Sequence, residues 1–384
     1  MNILTHRSHY PALQNCTYFN YGGQGLMCQS AVDRIAQNYQ QVETLGAFSI
    51  AANAWDMEEA KLLREEIAAE LRVDAKTISL TEDTTVGCNI ALWSVDWQEG
   101  DRILLSDCEH PGIIAIATQL KSRFGIELSY FPLQQTMNRS DADAVEALAQ
   151  HLHPRTRMVV VSHICWNTGQ VIPLKQICQV CHVRGILVAV DAAQSVGVLP
   201  LDLKDLEADF YAFTGHKWWC GPLGVGGLYV RPEVFQQSLP TFIGWRSIVS
   251  GKPNVQWQAD GQKFEVASSA YPLYGALRVA IDRANAWGSQ SERYTRICQL
   301  SRCLWQELSA VPRVRCLRDA PPVAGLVSFT IEGRSPAQVM HQLESDRRIL
   351  IRSIPDPECL RASVHYLTTE DDIDRLVSVL KDEF

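Results

Sequence analysis

Over its first two thirds the chain alternates short, almost unbroken apolar runs with longer stretches whose apolar positions recur at helical spacing. The segment NAWDMEEAKLLREEIAAELR (53–72) crowds acidic residues into its early turns, which predicts a helix ending near Val73. ISLTED then reads as a short strand, TTVGCNIALWSVDW as a turn entering a helix, EGD as a break and RILLSD as a second strand. A helix at 112–124, a strand at 126–131 and a helix near 141–151 continue the alternation. TRMVVVSHI, ILVAVDAAQ and ADFYAFTGHK read as further strands, with PLKQICQVCHVRG as the helix between the first two. Strands apolar on both faces, separated by helices, predict a mostly parallel sheet in an α/β domain covered on both sides.

The pattern changes after about residue 260. Helices at 271–286 and 289–310 precede VRCLRDAPPVAGLVSFTIEG, a helix near 335–345, the strand-like ILIRSI and RASVHYL, and a terminal helix from Thr369. This predicts a smaller C-terminal α/β domain, with the boundary between 255 and 275. The expected organisation is an N-terminal segment (1–15) packing with the small domain, a large domain (16–265) and a small domain (266–384).

Charge and cysteine usage narrow the class. A formal net charge of −8 and the absence of basic clusters argue against a nucleic-acid partner; Arg347-Arg348 reads as a solvated face. No uncharged apolar run is long enough for a membrane span, and MNILTHRSHYPALQN lacks the apolar core of a signal peptide. The expectation is a soluble cytoplasmic protein with no membrane partner. Twelve cysteines include one CxxC, Cys178 and Cys181, without a second pair to complete a zinc site, so no metal is expected. Three residues apart on a helix, they read as core thiols in a reducing compartment.

Sites in open parallel sheets collect beyond the carboxyl ends of strands, and unusual polar residues fall there. Thr84 and Thr85 follow ISLTED, Glu109-His110-Pro111 follows RILLSD, Asn167 follows VVVSHICW, Asp191 follows ILVAV, and Lys217 follows DFYAFT in TGHKWWCGPLG. Pyridoxal phosphate (PLP) would give each of them a role. Lys217 supplies the Schiff-base amine, Asp191 a partner for the ring nitrogen, and His110 a stacking ring. Gln194 contacts the phenolic oxygen, while Thr84, Thr85, Thr214 and His216 surround the phosphate. Trp218 and Trp219 read either as a wall behind the lysine or as core. Gly22, Gly23 and Gly25 in YFNYGGQG read either as a close approach of the main chain to substrate or as a simple turn.

DTTVG, EHPG, SHICWNTGQ, VDAAQSVG and AFTGHKWWCGPLGVGGLYV resemble the class V aminotransferase and cysteine desulfurase family of PLP enzymes, from YFNYGGQG to TTEDDIDRLVSVL. The resemblance implies the PLP-dependent transferase fold type I, with a mostly parallel seven-stranded sheet and a smaller C-terminal domain. It also implies a homodimer in which Ser268 of KFEVASSAYP reaches the partner subunit's phosphate. Arg352 in ILIRSIPDP then grips the substrate carboxylate, Arg361 supports the same pocket, and Asn167 and Gly23 sit near the substrate.

Members of the family include desulfurases, aminotransferases, epimerase-like proteins and C–S lyases. A desulfurase needs a mobile thiol between the two arginine segments; here SIPDPECL is short and offers only Cys359, close to a strand. The opening and this short stretch most closely resemble the L-cysteine/cystine C–S lyase branch. That implies β-elimination of cystine, and less efficiently of cysteine, to pyruvate, ammonia and persulfide or sulfide, supplying an iron–sulfur acceptor protein. The alternatives are desulfurase chemistry giving alanine, and amino-acid processing without loss of sulfur. A non-catalytic scaffold is disfavoured by the intact lysine–aspartate pair, and a dinucleotide enzyme by the missing GxGxxG.

Overall fold

The computed structural model describes residues 2–384. It opens on a short helix, α1 (Ile3–Arg7), followed by β1 (Thr17–Tyr18) and two long helices, α2 (Gln29–Leu45) and α3 (Ile50–Leu71). α3 is the acidic helix predicted from 53–72. The Ser49 hydroxyl caps it by accepting the Ala52 amide, and it stops at Arg72 in the left-handed region, φ 57°. α2 carries apolar residues at helical spacing, Ala31, Ile35, Val42 and Leu45, but only Ala31 and Asn38 of its side chains are fully buried.

The central alternation is β2 (Ile78–Thr81), α4 (Thr84–Trp93), β3 (Arg102–Ser106), α5 (Pro111–Phe124), β4 (Glu127–Phe131) and α6 (Asp141–His151). It continues with β5 (Thr156–Ser162), α7 (Leu174–His182), β6 (Leu187–Asp191), α8 (Leu203–Leu206), β7 (Phe210–Thr214), β8 (Gly226–Val230) and α9 (Pro232–Phe235). These strands form one seven-stranded sheet in the order β2-β8-β7-β6-β5-β3-β4. All run parallel except β8, which is antiparallel to both its neighbours.

Burial explains the unbroken apolar runs. In β5, Val159 and Val161 join the core on one face of the sheet while Met158 and Val160 join the core on the other; Val188 and Val190 against Ala189 do the same in β6. With helices on both faces, neither side of these strands needs polar residues. β8 escapes periodicity because Gly226 and Gly227 open it. Both are packed too tightly for a side chain: a Cβ on Gly226 would lie 2.5 Å from the Phe213 carbonyl oxygen.

The remaining chain comprises α10 (Tyr271–Trp287), α11 (Gln290–Ser309), β9 (Val314–Cys316), β10 (Leu326–Ile331), α12 (Pro336–Arg347), β11 (Ile349–Leu350), β12 (Arg352–Pro355), β13 (Glu358–Ser363) and α13 (Glu370–Glu383). Four of its strands form an antiparallel sheet, β12-β13-β10-β9, and β11 pairs in parallel with β1. A separate apolar core joins Phe19, Leu300, Phe329, Leu343 and Leu376. Cys178 and Cys181 are both fully buried on α7, and among the described residues no metal-ligating cluster assembles. No helix among the described residues is long and apolar enough to cross a membrane.

α13 is tied back to the N-terminus. The Asp372 carboxylate accepts the Thr369 amide, Thr369 Oγ1 accepts the Asp372 amide, and Arg7 pairs with Asp372 at 2.8 Å. Replacing Asp372 by Ala removes the acceptor of the Thr369 amide and the partly buried ion pair together. Urea denaturation should show a loss of about 2 kcal/mol, with Thr369→Ala costing about half as much because it spares the pair.

Candidate active site

The carboxyl ends of β5, β6 and β7 and the starts of α4 and α5 enclose a cavity of about 230 Å³. At the α4 end it is lined by Asp83, Thr84 and Thr85. Asp83 caps the helix by accepting the Val86 amide at 2.9 Å, so the helix's first amides stay free for a ligand, while Thr84 Oγ1 is buried without any partner. Thr214 and His216 complete this end, with Thr214 Oγ1 2.6 Å from His216 Nδ1. Burial, reinforced by Lys217 and opposed by Asp83, holds His216 down to about 4, so the ring is neutral at physiological pH.

His110 is the N-cap of α5. Its Nδ1 accepts the Gly112 amide at 3.2 Å, which places the ring proton on Nε2, and its ring meets the half-buried Trp166 edge-on at 5.3 Å. Burial lowers its pKa; Asp191 opposes this, and Lys217 and Arg361 add to it. Asp191, the last residue of β6, is buried and accepts the Ala193 amide at 2.9 Å.

Lys217 projects from the turn after β7. Burial dominates its surroundings and brings its amine down to about 8; Asp191 and Asp83 pull the other way and Arg361 adds to the lowering. An amine with that pKa is substantially unprotonated just above neutrality and is a competent nucleophile and base. The glycine-rich N-terminal segment grips this turn: the Gly25 amide donates to the His216 carbonyl at 2.7 Å, and a Cβ on Gly25 would stand 2.0 Å from the Lys217 carbonyl oxygen. Gly22 also makes a close approach, its would-be Cβ 3.0 Å from Arg361 Nη2, whereas Gly23 abuts Asn20 and does not line the cavity.

Arg361, on β13, is 3% exposed, and its Nη1 donates to the Trp166 carbonyl at 2.6 Å while its Nε has no partner. No carboxylate is prominent among the groups acting on its charge; burial, then Arg352, lowers it to about 10. A buried guanidinium without an anion is a site waiting for one.

Several expected positions sit differently. Arg352 is the register partner of Arg361 but lies exposed on the edge strand β12, so the buried arginine beside Trp166 is Arg361, not the residue expected to grip the carboxylate. Asn167 does not line the cavity: its amide donates to the Asp356 carbonyl at 3.0 Å and its Oδ1 accepts the Thr168 amide. Gln194 lines the cavity, yet its Nε2 donates to the Gly22 carbonyl and its Oε1 accepts the Trp218 indole, both at 2.9 Å. Trp218 and Trp219 are core residues, and neither lines the cavity. Ser268 lines a different cavity of about 600 Å³, with Phe48, Trp245 and Tyr271. Sequence reasoning missed Trp166, Ser162 and Asp83 as lining residues; their signal was position, one step from strand ends already singled out.

The class-V aminotransferase profile matches residues 17–376. The chain is 46% identical to the cystine C–S lyase C-DES, seen in complex with its reaction product cysteine persulfide; the match covers 97% of this chain and 99% of that one with a TM-score of 0.94. It is 27% identical over 355 residues to a probable cysteine desulfurase of Methanothermobacter thermautotrophicus, covering 88% and 86% of the two chains. It is also 27% identical over 346 residues to the isopenicillin N epimerase of Streptomyces clavuligerus, covering 83% and 82%. These likenesses share the α/β fold type I of PLP-dependent enzymes expected from the sequence. Because the match runs from the first strand into the last helix, the chain as a whole belongs to the class-V aminotransferase family.

Proposed function

We propose that the protein is a PLP-dependent C–S lyase that eliminates the β-sulfur of cystine, and less efficiently of cysteine. The residues fit the cofactor: an orphaned threonine hydroxyl and free helix amides for a phosphate, a buried aspartate for the ring nitrogen, and a depressed lysine. A mutant of C-DES, 46% identical to this chain, carries glycine covalently linked to its PLP cofactor. Bound here, PLP supplies an aldehyde for an amine and an electron-withdrawing ring that accepts the charge left when an α-proton departs.

The chain's own groups do the rest. Thr84, Thr85, Thr214 and His216 hold the phosphate, Asp191 the ring nitrogen, and neutral His110 packs against the ring. Arg361 holds the α-carboxylate in a two-pronged grip, fixing which bond at Cα stands ready to break. Lys217 takes the α-proton as a neutral amine. Cystine and water then yield pyruvate, ammonia and cysteine persulfide, a mobile sulfur carrier suited to supplying iron–sulfur assembly.

The observation that favours elimination over desulfurase chemistry is the position of Cys359. β12 and β13 form a tight hairpin with only Asp356 and Pro357 at its turn, and Cys359 lies within β13 opposite Ile354, fully buried. Burial raises its thiol to about 11. A thiol so held can neither ionise readily nor travel to the cofactor, and no cysteine lines the cavity among the described residues. Cystine is favoured over cysteine because it carries two carboxylates, and the hairpin sets Arg352 beside Arg361.

A second copy of the chain completes the site in this reading. Phe48 is 89% and Trp245 55% exposed around the cavity that holds Ser268, a surface that association would cover while delivering the Ser268 hydroxyl to a partner's phosphate.

Purified protein loaded with PLP should convert cystine to equal amounts of pyruvate and ammonia with persulfide released into solution, and Cys359→Ser should retain turnover within about twofold. Alanine as product, with sulfur retained on the protein, would overturn the reading. Lys217→Ala should form no lysine-bound visible band. In the wild-type apoprotein, the rate of band formation should rise about tenfold per pH unit below about 8 and level off above it, because only the unprotonated amine attacks. Arg361→Lys keeps the charge but loses the fork, and kcat/KM should fall about 100-fold for both substrates. Arg352→Ala should raise KM for cystine more than for cysteine.

A further inference from the structure

A second carboxyl lies behind the cavity wall, unused by the chemistry above. Glu109, on the turn between β3 and α5, is 3% exposed. Its Oε1 accepts the Ser162 amide at 2.9 Å and the Ser106 hydroxyl at 2.5 Å. Ser106 is fully buried, and among the described residues its hydroxyl has no acceptor other than Glu109, its Oγ being itself the acceptor of the Cys108 amide, so the hydrogen between Ser106 and Glu109 belongs to the serine. Glu109 Oε2 lies 2.8 Å from Ser162 Oγ. Ser162 is the register partner of Asp191 across β5 and β6, and it lines the cavity.

Ser162 therefore meets Glu109 with both its amide and its hydroxyl. The remaining proton has two possible positions. If Glu109 is ionised, Ser162 must give its hydroxyl hydrogen to Oε2 and shows the cavity only lone pairs. If Glu109 is neutral, its Oε2–H donates to Ser162 Oγ, and the serine hydrogen is released to the cavity side. The surroundings favour the second arrangement. The titratable groups around Glu109 are Asp191 on β6, Cys88 on α4, and Cys108 and His110 on its own turn. Burial keeps the Cys88 thiol protonated, and Cys165 together with burial does so for Cys108; none of these groups supplies a balancing positive charge. An ionised Glu109, one strand removed from Asp191 at the same edge of the sheet and out of water, would carry its charge without a cation of its own. Burial, opposed by Ser106 and Ser162 and reinforced by Asp191, lifts Glu109 to about 8.

We propose that Glu109 is a positioning residue held as a neutral carboxylic acid, which turns the Ser162 hydroxyl hydrogen toward the cofactor cavity. Only the identity of what the Ser162 hydrogen meets rests on the PLP reading; the protonation state of Glu109 does not.

Infrared difference spectra between wild type and Glu109→Gln, taken on cofactor-free protein, read the state directly. The amide keeps the acceptor at Oε1 and places an N–H where the acid has its O–H. At about pH 6.5 the wild type should show a protonated carboxylic-acid carbonyl band that the variant lacks, replaced by carboxylate bands with a midpoint near pH 8. Stability gives an independent readout. Unfolded, Glu109 ionises near its ordinary 4.5; folded, near 8. Between those values the folded state binds the extra proton, so wild-type stability falls with rising pH relative to Glu109→Gln, and the difference levels off above about 8. No acid band at about pH 6.5, or a melting-temperature difference that is flat across that window, would overturn the proposal. If Glu109→Gln does not fold, Ser162→Ala removes the acceptor of the acid's O–H, and its carbonyl band should move to higher frequency; an unmoved band would also count against the assignment. Failure of PLP to join Lys217 would leave all three readouts intact, so it would be recognised separately.

Discussion

The structure depends on keeping one primary amine away from bulk water without letting its turn relax. Lys217 sits in the turn after β7, and the backbone of that turn is held from distant parts of the chain on both sides. The Gly25 amide takes the His216 carbonyl from the N-terminal side. The His365 ring takes the Trp218 carbonyl from the C-terminal side at 3.0 Å, its Nδ1 accepting the Leu367 amide so that Nε2 carries the proton. His365 is in turn stacked on Tyr21, with ring centroids 4.3 Å apart. The lysine's position is thus set jointly by residues near 20, near 217 and near 365, which is why so small a cavity requires nearly the whole chain to form.

Burial also fixes the charge pattern around that amine. His110 and His216 are held neutral, and Lys217 and Arg361 are both pulled below their ordinary values. Each shift is dominated by lost hydration, so each is reversible by a ligand that restores a partner. An anion at the α4 end would favour protonation of His216, and a carboxylate beside Trp166 would restore Arg361. The site is preorganised in the sense that its polar groups wait at fixed positions with their charges uncompensated, so a ligand of the right charge pattern gains more than it would in water.

How much of this the sequence reveals depends on whether one residue or a pairing decides the matter. α3, β5 and β6 are legible because burial on both faces writes itself into consecutive residues. α2 is less conspicuous, because the stripe formed by Ala31, Ile35, Val42 and Leu45 is thin and, apart from Ala31, only half-buried. Lys217, Asp191 and His110 are conspicuous because polar groups at strand ends need a reason to be there. The order of the two arginines is hidden, because Arg352 and Arg361 face each other across one hairpin and only the position of β12 at the sheet edge exposes the former. Trp166 is hidden for the opposite reason: an aromatic residue after an apolar strand reads as core, and only its contacts with His110 and Arg361 give it another role.

The same hairpin decides where sulfur can go. The Asn167 amide pins the Asp356 carbonyl at its turn, and Ser328 Oγ donates to the Asn167 carbonyl, so the turn is fastened to the segment after β5 and to β10 at once. A thiol that carries sulfur as protein-bound persulfide must leave its resting place, reach the reacting atom and withdraw, which calls for a loop with few contacts. Cys359 instead sits in a paired strand with its neighbours Leu360 and Arg361 equally buried, and freeing it would break the strand that carries the arginine. Substrate binding and thiol delivery would then compete for the same six residues of β13. On the proposed reading the sulfur would leave on the product rather than on the protein, and the pairing that ties Cys359 into β13 is the same pairing that holds Arg361 in place.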